Sequence, residues 1–294
     1  MLFRFLCVVA VVGVLGCSSR NRTGFSTDDA SVDAAVDAVP DALLRPDRVI
    51  PDASTGRVLI YAHSRDTLFT FSAETLQVEP VGVFQLADGG DAPFMLDLAV
   101  DAEGEVFTVS NDTLFSVNTD TAVVTPIGVY DVGGDRLFAL SFLAPGELEA
   151  NEVLVGATNE GAYYRLDRTT AEVAFLGNYP DGWGSSGDIV SVTGLGTFAT
   201  VRRDDFPSDV LVRMIFSSDG SSIATVIGPI RGSGTDYVQL FGLGFWGTEL
   251  FGFSNAGELI SIDVNSGAAS VATANTGTMQ FWGAGVTTVA PVLL

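Results

Sequence analysis

A four-residue pattern of apolar and polar positions recurs five times in the chain. Its third position is polar and the other three are apolar, which is the alternation of a strand with one wet face plus one extra apolar residue. The copies lie at residues 68–71, 114–117, 163–166, 211–214 and 259–262. The pattern therefore predicts one β-strand of the same kind in each of five repeats.

Further predicted strands flank each copy. One precedes it, at 58–62, 106–109, 153–156, 198–201 and 250–253, with first residues 48, 47, 45 and 52 apart. Another follows a turn cluster and ends, in the first four repeats, near Gly82, Gly128, Gly177 and Gly228. A last type alternates larger with mostly small residues, at 96–100, 138–142, 193–197, 241–245 and 282–286. Small side chains suit inner strands crowded around a central axis.

Four strands in a repeat of this length are typical of a β-propeller blade. The first repeat has no inner strand of its own. The predicted inner strand at 282–286 comes after the last repeat, and no further strands of a repeat follow it. We therefore predict an all-β, five-bladed propeller whose two ends share one blade, since closure removes two exposed strand edges. An open β-array or a sandwich with the same strand pairs is the alternative.

The blade motif resembles known propellers. The segment Leu114-Phe115-Ser116-Val117-Asn118, with its turn and the later Gly128, is similar to the repeat units of bacterial quinoprotein-like and NHL-like propellers. The resemblance extends over residues 58–289 and implies a fold, not an activity.

The start of the chain is typical of an export signal. Residues 5–16 form an apolar run too short to span a bilayer, and the run ends at Cys17. The ending Val14-Leu15-Gly16-Cys17 resembles the lipobox of bacterial lipoproteins, which implies removal of residues 1–16 and lipid attachment at Cys17. Ser18 stands where an inner-membrane retention signal has Asp, so the resemblance points to the outer membrane, on either its periplasmic or its surface side. An ordinary cleaved signal is the alternative.

Residues 17–55 are predicted to be a solvated acidic linker, ahead of a propeller domain at 56–294. Ala, Asp and Val dominate residues 28–42, and this composition cannot bury enough apolar area to order the chain. A short helix over 34–44 is the competing interpretation, with Pro40 in its middle.

Composition narrows the function classes. The chain carries 36 acidic and 14 basic residues, every basic one an Arg, for a net charge of −22 that argues against a nucleic-acid partner. A hydrophobic content of 47% excludes a disordered chain. His63 is the only histidine, which excludes a His-rich metal site.

Recurrent aspartates are the candidate metal ligands. Asp91, Asp135, Asp188 and Asp236 each end a Gly-containing connection that leads to a predicted inner strand, and Asp97 lies on such a strand. Together they would form a partial ring of carboxylates at the mouth of the propeller, with oxygen ligands suited to Ca²⁺. The alternative is that each aspartate only stabilises its own turn.

Residues 178–187 are the longest connection and the candidate ligand-binding loop. Tyr179, Asp181 and Trp183 lie there among Gly and Ser, a composition that resembles a recognition surface for a sugar or a protein. Alternatively, Trp183 packs against a blade. Residues 202–205, Arg-Arg-Asp-Asp, are predicted to form a solvated turn.

Two functions are consistent with these features. The first is a monomeric, non-catalytic lipoprotein of the cell envelope whose propeller binds a protein or a glycan and needs no cofactor. The second is a calcium-dependent propeller hydrolase, similar to gluconolactonases, that uses axial carboxylates.

Replacing the predicted lipid acceptor tests the anchor. Cys17→Ser should release the protein from membranes, because acyl chains are its only strong membrane attachment. Fractionation of cells after a salt wash measures this. The matched control is Cys7→Ser, which changes a residue of the removed signal and should leave the protein membrane-bound. A Cys17→Ser protein that stays with the membrane would contradict the lipobox interpretation.

Overall fold

The computed structural model describes residues 60–217, 219, 221–278 and 280–293. The predicted signal 1–16, Cys17, the linker 17–55 and residues 58–59 of the first predicted strand lie outside the described residues. The described chain folds as strands with one short 3₁₀ turn, Pro180–Gly182. No helix within it is long and apolar enough to cross a bilayer.

Five antiparallel meanders of four strands form five blades of a β-propeller, and the sheet of blade 2 has a short, parallel fifth strand at its outer edge. Blade 1 contains β1 (Ile60–His63), β2 (Thr67–Ser72) and β3 (Gln77–Val83), with β4 (Gln85–Leu86) after it; blade 2 contains β5 (Asp97–Val100), β6 (Val106–Val109), β7 (Thr113–Val117) and β8 (Val123–Val129). Blade 3 contains β9 (Ala139–Leu143), β10 (Val153–Ala157), β11 (Ala162–Leu166) and β12 (Val173–Asn178); blade 4 contains β13 (Gly184–Val192), β14 (Gly196–Arg202), β15 (Val210–Phe216) and β16 (Ser222–Pro229). After the short β17 (Arg231–Gly232) and β18 (Thr235–Asp236), blade 5 contains β19 (Leu240–Trp246), β20 (Glu249–Ser254), β21 (Leu259–Ile262) and β22 (Ala269–Thr273). The last strand, β23 (Gly283–Gly285), belongs to blade 1.

The two ends of the described chain close the ring, as the repeats predict. β23 pairs with β1 as the inner strand of blade 1, with His63 opposite Gly283. Blade 1 also packs on blade 5, where the Phe71 ring lies 5.0 Å from that of Phe251. The segment after β23 continues beneath other blades, because the Thr193 and Gly247 N–H groups donate to the carbonyls of Thr288 and Pro291 at 2.7 and 2.9 Å.

The five inner strands, β5, β9, β13, β19 and β23, surround the axis side by side. The meander repeats from blade to blade, so all five run in the same direction. We call the face at which they begin the upper face. It carries the connections between blades and the loops between the second and third strands of each blade.

A β-bulge explains the glycine that recurs near the end of the outer strand. In blade 2 the register shifts between Leu114 and Phe115, so that Ile127 is extra and turns inward against the core. Gly128 follows, and a Cβ on it would lie 2.5 Å from the carbonyl oxygen of Thr170 in the next blade. Glycine therefore allows neighbouring blades to approach closely. Blade 5 has Thr273 instead, which donates from Oγ1 to the Leu76 carbonyl of blade 1 at 3.3 Å.

The prediction of the inner strand of blade 4 was wrong. Residues 193–195 form the turn between β13 and β14, and 196–197 begin β14. Gly194 and Gly196 have φ values of 86° and 105°, which a tight turn requires and only glycine adopts readily. The true inner strand is Gly184–Val192, and its first four residues, Gly and Ser, fall within the predicted loop 178–187.

Removing the closing strand should open the ring. Deletion of residues 279–294 takes away β23 and exposes the edge of β1, so we expect a fall in melting temperature on the order of 10 °C, or aggregation. Circular dichroism and light scattering measure these effects. Deletion of 293–294 alone keeps β23 and should be much milder. Equal melting temperatures for the long deletion and the intact chain would contradict this closure.

Candidate functional site

The upper ends of the inner strands bring five equivalent positions together at the axis. Each of these residues contacts the second strand of its blade, by strand pairing or by a hydrogen bond. The contacted residue in turn pairs with the first residue of the repeated four-residue pattern, which makes the five positions equivalent. The five are Asp97, Ala139, Asp188, Gly242 and Gly283. Two carboxyl groups thus share the axis with three residues that have little or no side chain.

Asp97 and Asp188 are fully buried, and their carboxyl groups are hydrogen-bonded to each other. Asp97 Oδ1 accepts from the N–H of Leu98 at 2.8 Å, and Oδ2 accepts from Leu140 N–H of the next blade at 2.6 Å. Asp188 repeats this arrangement with Ile189 at 2.6 Å and with Leu243 of blade 5 at 2.5 Å. Each carboxyl group therefore ties its own inner strand to the following one.

The pair must hold a proton. Burial raises the pKa of Asp97 well above its ordinary value, and the nearby charge of Asp188 raises it further. Burial also raises the pKa of Asp188, against the lowering effect of its backbone N–H donors. The two carboxyl groups therefore share one proton, which their mutual hydrogen bond requires because two carboxylates have no hydrogen to donate.

His63 lies beside this pair. Its Nδ1 is 2.6 Å from the Ser64 carbonyl oxygen, so Nδ1 carries the hydrogen and Nε2 is left as an acceptor. Nε2 has no hydrogen-bond partner in the described part of the chain. A Cβ on Gly283 would lie 2.4 Å from Nε2 and 2.1 Å from Asp97 Oδ1, so glycine makes room for the imidazole next to Asp97. Burial lowers the pKa of His63 to about 4.

The five aspartates predicted to bind calcium are not brought together. Asp97 and Asp188 meet at the axis, and Asp188 lies within an inner strand rather than in the connection before it. Asp91, Asp135 and Asp236 are exposed on separate connections. Asp135 accepts from the following N–H, that of Arg136, at 2.8 Å, which is the local role of the alternative interpretation. Within the described ranges, no three His, Cys, Asp or Glu side chains are grouped closely enough to hold a metal ion.

The predicted recognition loop does not present its aromatic rings to solvent. Tyr179 and Trp183 are 4% and 2% exposed, so the expectation of an exposed aromatic surface was wrong and the alternative, Trp183 packed on a blade, is confirmed. The ring centres of Trp183 and Phe206 lie 5.1 Å apart, and the guanidinium carbon of Arg203 lies 4.2 Å from the centre of the Trp183 ring. The Gly and Ser residues around these rings are typical of a loop, which is why the sequence predicts that the rings are exposed. Of the three residues predicted to bind a ligand in this loop, Asp181 is the exposed one.

An open cleft of about 1210 Å³ lies on the upper face beside that loop. The turn Arg202–Asp205 borders it, as an exposed turn stabilised by the bidentate ion pair of Arg203 with Asp205, at 2.6 and 2.9 Å. Asp209 lies in its floor, where burial raises the pKa of this carboxyl to about 6. Further lining residues are Phe138, Asn159, Glu160, Ser186, Ser208, Gln239 and Phe241. The sequence did not single out Ser208, Asp209 or Phe241 as site residues, because they come from two blades and no motif links them.

Buried polar atoms without a hydrogen-bond partner occur on the same face. Within the described residues they include His63 Nε2, Thr158 Oγ1, Ser208 Oγ and Trp282 Nε1. Each belongs to the upper end of an inner or second strand or to the loop that follows a second strand. An unsatisfied buried polar group costs about 1–3 kcal/mol, so several on one face require an explanation.

The fold and the closed axis define this chain as a five-bladed β-propeller. No family model and no curated protein matches its sequence. Its fold is similar to a protein of unknown function from Bacteroides thetaiotaomicron, at 13% identity and a TM-score of 0.45, over 74% of this chain but only 55% of that one. It is also similar to virginiamycin B lyase from Staphylococcus aureus (8% identity, 75% and 71% of the two chains, TM-score 0.39). A third similar structure comes from work on the de novo evolutionary emergence of a symmetrical protein (17%, 79% and 99%, TM-score 0.48).

The protonated carboxyl pair predicts a pH-dependent effect of Asp97→Asn. A raised folded-state pKa contributes stability that is complete below the ordinary pKa and is lost as pH rises through the folded value. The amide cannot accept both backbone N–H groups, so the variant should lose about 1–3 kcal/mol at acidic pH. The loss should shrink as pH rises, because the variant has no proton to release at this position. Urea unfolding from about pH 5 to about pH 9 measures both curves.

Asp135→Asn is the matched control, because Asp135 is an exposed turn residue of the same predicted set. It should change stability little, since Asn also accepts hydrogen bonds in turns. Parallel curves for Asp97→Asn and the unmodified chain would rule out a proton held by the pair.

Proposed function

We propose that this chain is a cell-envelope lipoprotein, anchored through Cys17, whose non-catalytic β-propeller binds a protein or a glycan on its upper face. The observation that carries the proposal is that the open cleft and most of the unpartnered buried polar atoms of the described chain, Ser208 Oγ among them, occur on one face. Side chains at binding sites commonly change rotamer when a ligand arrives. A ligand in the cleft could therefore satisfy groups such as the Ser208 hydroxyl.

The state of the axial carboxyl groups favours binding over hydrolysis. A hydrolase needs carboxylates that reach the substrate, and a calcium site needs oxygens free to coordinate the ion. Asp97 and Asp188 are sealed from solvent, and their oxygens accept backbone hydrogen bonds from four inner strands' residues. Their geometry suits the joining of blades.

The anchor and the linker complement such a face. A lipid on Cys17 would hold the protein at the membrane, and an acidic, Pro-containing linker would keep the domain at a distance from it. The net charge of −22 adds repulsion from anionic lipid surfaces. The upper face would then be accessible to soluble or wall-bound ligands.

Ser208→Ala separates a ligand-binding role from a structural one. Removal of an unpartnered buried hydroxyl should leave the melting temperature unchanged or raise it, because no hydrogen bond is lost. Arg202→Ala should also be mild for folding, since Arg202 is exposed. Both variants should weaken capture of fractionated envelope glycans or proteins by the full-length protein: Arg202→Ala roughly tenfold, for the loss of a hydrogen bond to a charged group, and Ser208→Ala roughly threefold, for the loss of a neutral one.

Arg165→Ala is the control, because Arg165 is an exposed arginine on β11, paired with Glu149 at 2.8 Å and outside the cleft. It should bind like the unmodified protein. Ligand capture that is equal in all four proteins would refute a binding site in the cleft.

A further inference from the structure

The upper face carries a row of aromatic side chains that begins outside the cleft. Phe94, in the connection to β5, is 55% exposed, which is unusual for so large an apolar side chain. The guanidinium of Arg65 lies 3.7 Å from the centre of its ring and 5.2 Å from that of Trp282. Trp282 in turn lies 6.5 Å from Phe241, which lines the cleft. The Arg65 guanidinium thus bridges Phe94 and Trp282, and the row runs from Phe94 to Phe241 in the lining of the cleft.

Backbone hydrogen bonds hold this row in place. The Met95 N–H donates to the Arg65 carbonyl at 3.0 Å, and the Trp282 N–H donates to the His63 carbonyl at 2.8 Å. At the other end, Asp209 Oδ2 accepts from the Leu240 N–H at 3.0 Å, which fixes the backbone next to Phe241. A ligand on this surface would pay little for ordering it, so the surface is preorganised for binding.

The surface combines two kinds of contact. Phe94, Trp282 and Phe241 offer apolar rings, and the cleft beside them is lined by amide, carboxyl and guanidinium groups. Ser208 Oγ and Trp282 Nε1 are buried polar atoms without partners in the described chain, and a change of side-chain rotamer would bring them to a ligand. Sugar rings match this combination, because their C–H faces stack on aromatic rings while their hydroxyl groups both donate and accept hydrogen bonds. The planar side chains of Asn159, Gln239 and Arg202 in the cleft suit neighbouring hydroxyl pairs.

The charges argue for a neutral ligand. Arg203 in the cleft is paired with Asp205, and Arg202 is close enough to Asp209 to lower the pKa of that carboxyl. Glu160 and Asp204 add negative charge to the lining, and the whole chain carries −22. In the cleft the acidic residues Glu160, Asp204, Asp205 and Asp209 outnumber the two arginines, so an acidic glycan would be repelled there as well as at long range. Arg65, on the path outside the cleft, lies against the rings of Phe94 and Trp282.

We infer that the upper face binds a linear, neutral oligosaccharide along the path Phe94–Trp282–Phe241 and into the cleft. This inference rests on the proposed binding function and names its ligand class. An elongated row that ends in a concave polar cleft suits a chain of sugar rings better than a folded protein, which needs a broad face of about 800 Å² per partner.

Titration calorimetry on the full-length protein in detergent tests the inference. The probes are neutral oligosaccharides (gluco-, xylo-, manno- and chito-oligomers of two to six units), oligomers of uronic acids, and peptides released from envelope proteins. We expect binding of at least one neutral series, with affinity that rises with chain length. Phe94→Ala should weaken that binding about tenfold, and Trp282→Phe, which keeps an aromatic ring but removes the indole N–H, should weaken it several-fold.

Phe175→Ala is the matched control, because Phe175 is a similarly exposed phenylalanine (59%) on the outer strand β12. It should bind like the unmodified protein. Tight binding of an acidic oligomer or a peptide that Arg202→Ala weakens, without binding of any neutral oligomer, would overturn the inference and leave the proposed function standing. Absence of binding by every class, or binding that none of the upper-face variants changes, would overturn both.

Discussion

Asp97 and Asp188 meet at the propeller axis, out of contact with solvent, and each fastens its own inner strand to the next. Two ionised carboxylates this close would repel each other strongly in a medium of low dielectric constant, so a proton is a structural component of the axis. Space at the axis is also limited, since a Cβ on Gly242 would collide with Gly283 and Ala284 of the neighbouring inner strand. Ala139, Gly242 and Gly283 occupy the three remaining positions, and a side chain on Gly283 would collide with Asp97 and His63.

His63 and Asp97 give the axis opposite responses to pH. Burial lowers the pKa of His63 to about 4, so its contribution to stability is lost as pH falls from the ordinary histidine value through that point. The raised pKa of Asp97 causes a loss in the other direction, as pH rises. Between these limits the imidazole is neutral and the carboxyl pair holds its proton.

The repeated strand pattern sufficed to predict the five blades and the shared first blade, because each blade needs the same alternation of buried and wet positions. Asp97 and Asp188 appeared among the candidates only as members of a recurrent Gly-Asp series, and Asp188 was placed in a turn. Their meeting depends on ring closure, which brings together residues of blades 2 and 4. Trp183 was misplaced for a related reason: its burial depends on Phe206 and Arg203, which lie about twenty residues further along the chain.

A sealed axis limits where this propeller can meet a ligand. The inner strands' carboxyl groups are engaged with the backbone, so chemistry at the centre would first require breaking the bonds that join the blades. The connections and loops of the upper face have no such duty, and they carry the exposed Phe94, the cleft and the unpartnered polar atoms. A rigid scaffold with functional loops is a common division of roles in proteins. In this molecule the carboxyl pair joins the inner strands at the axis, and the loops of the upper face remain free for the recognition proposed above.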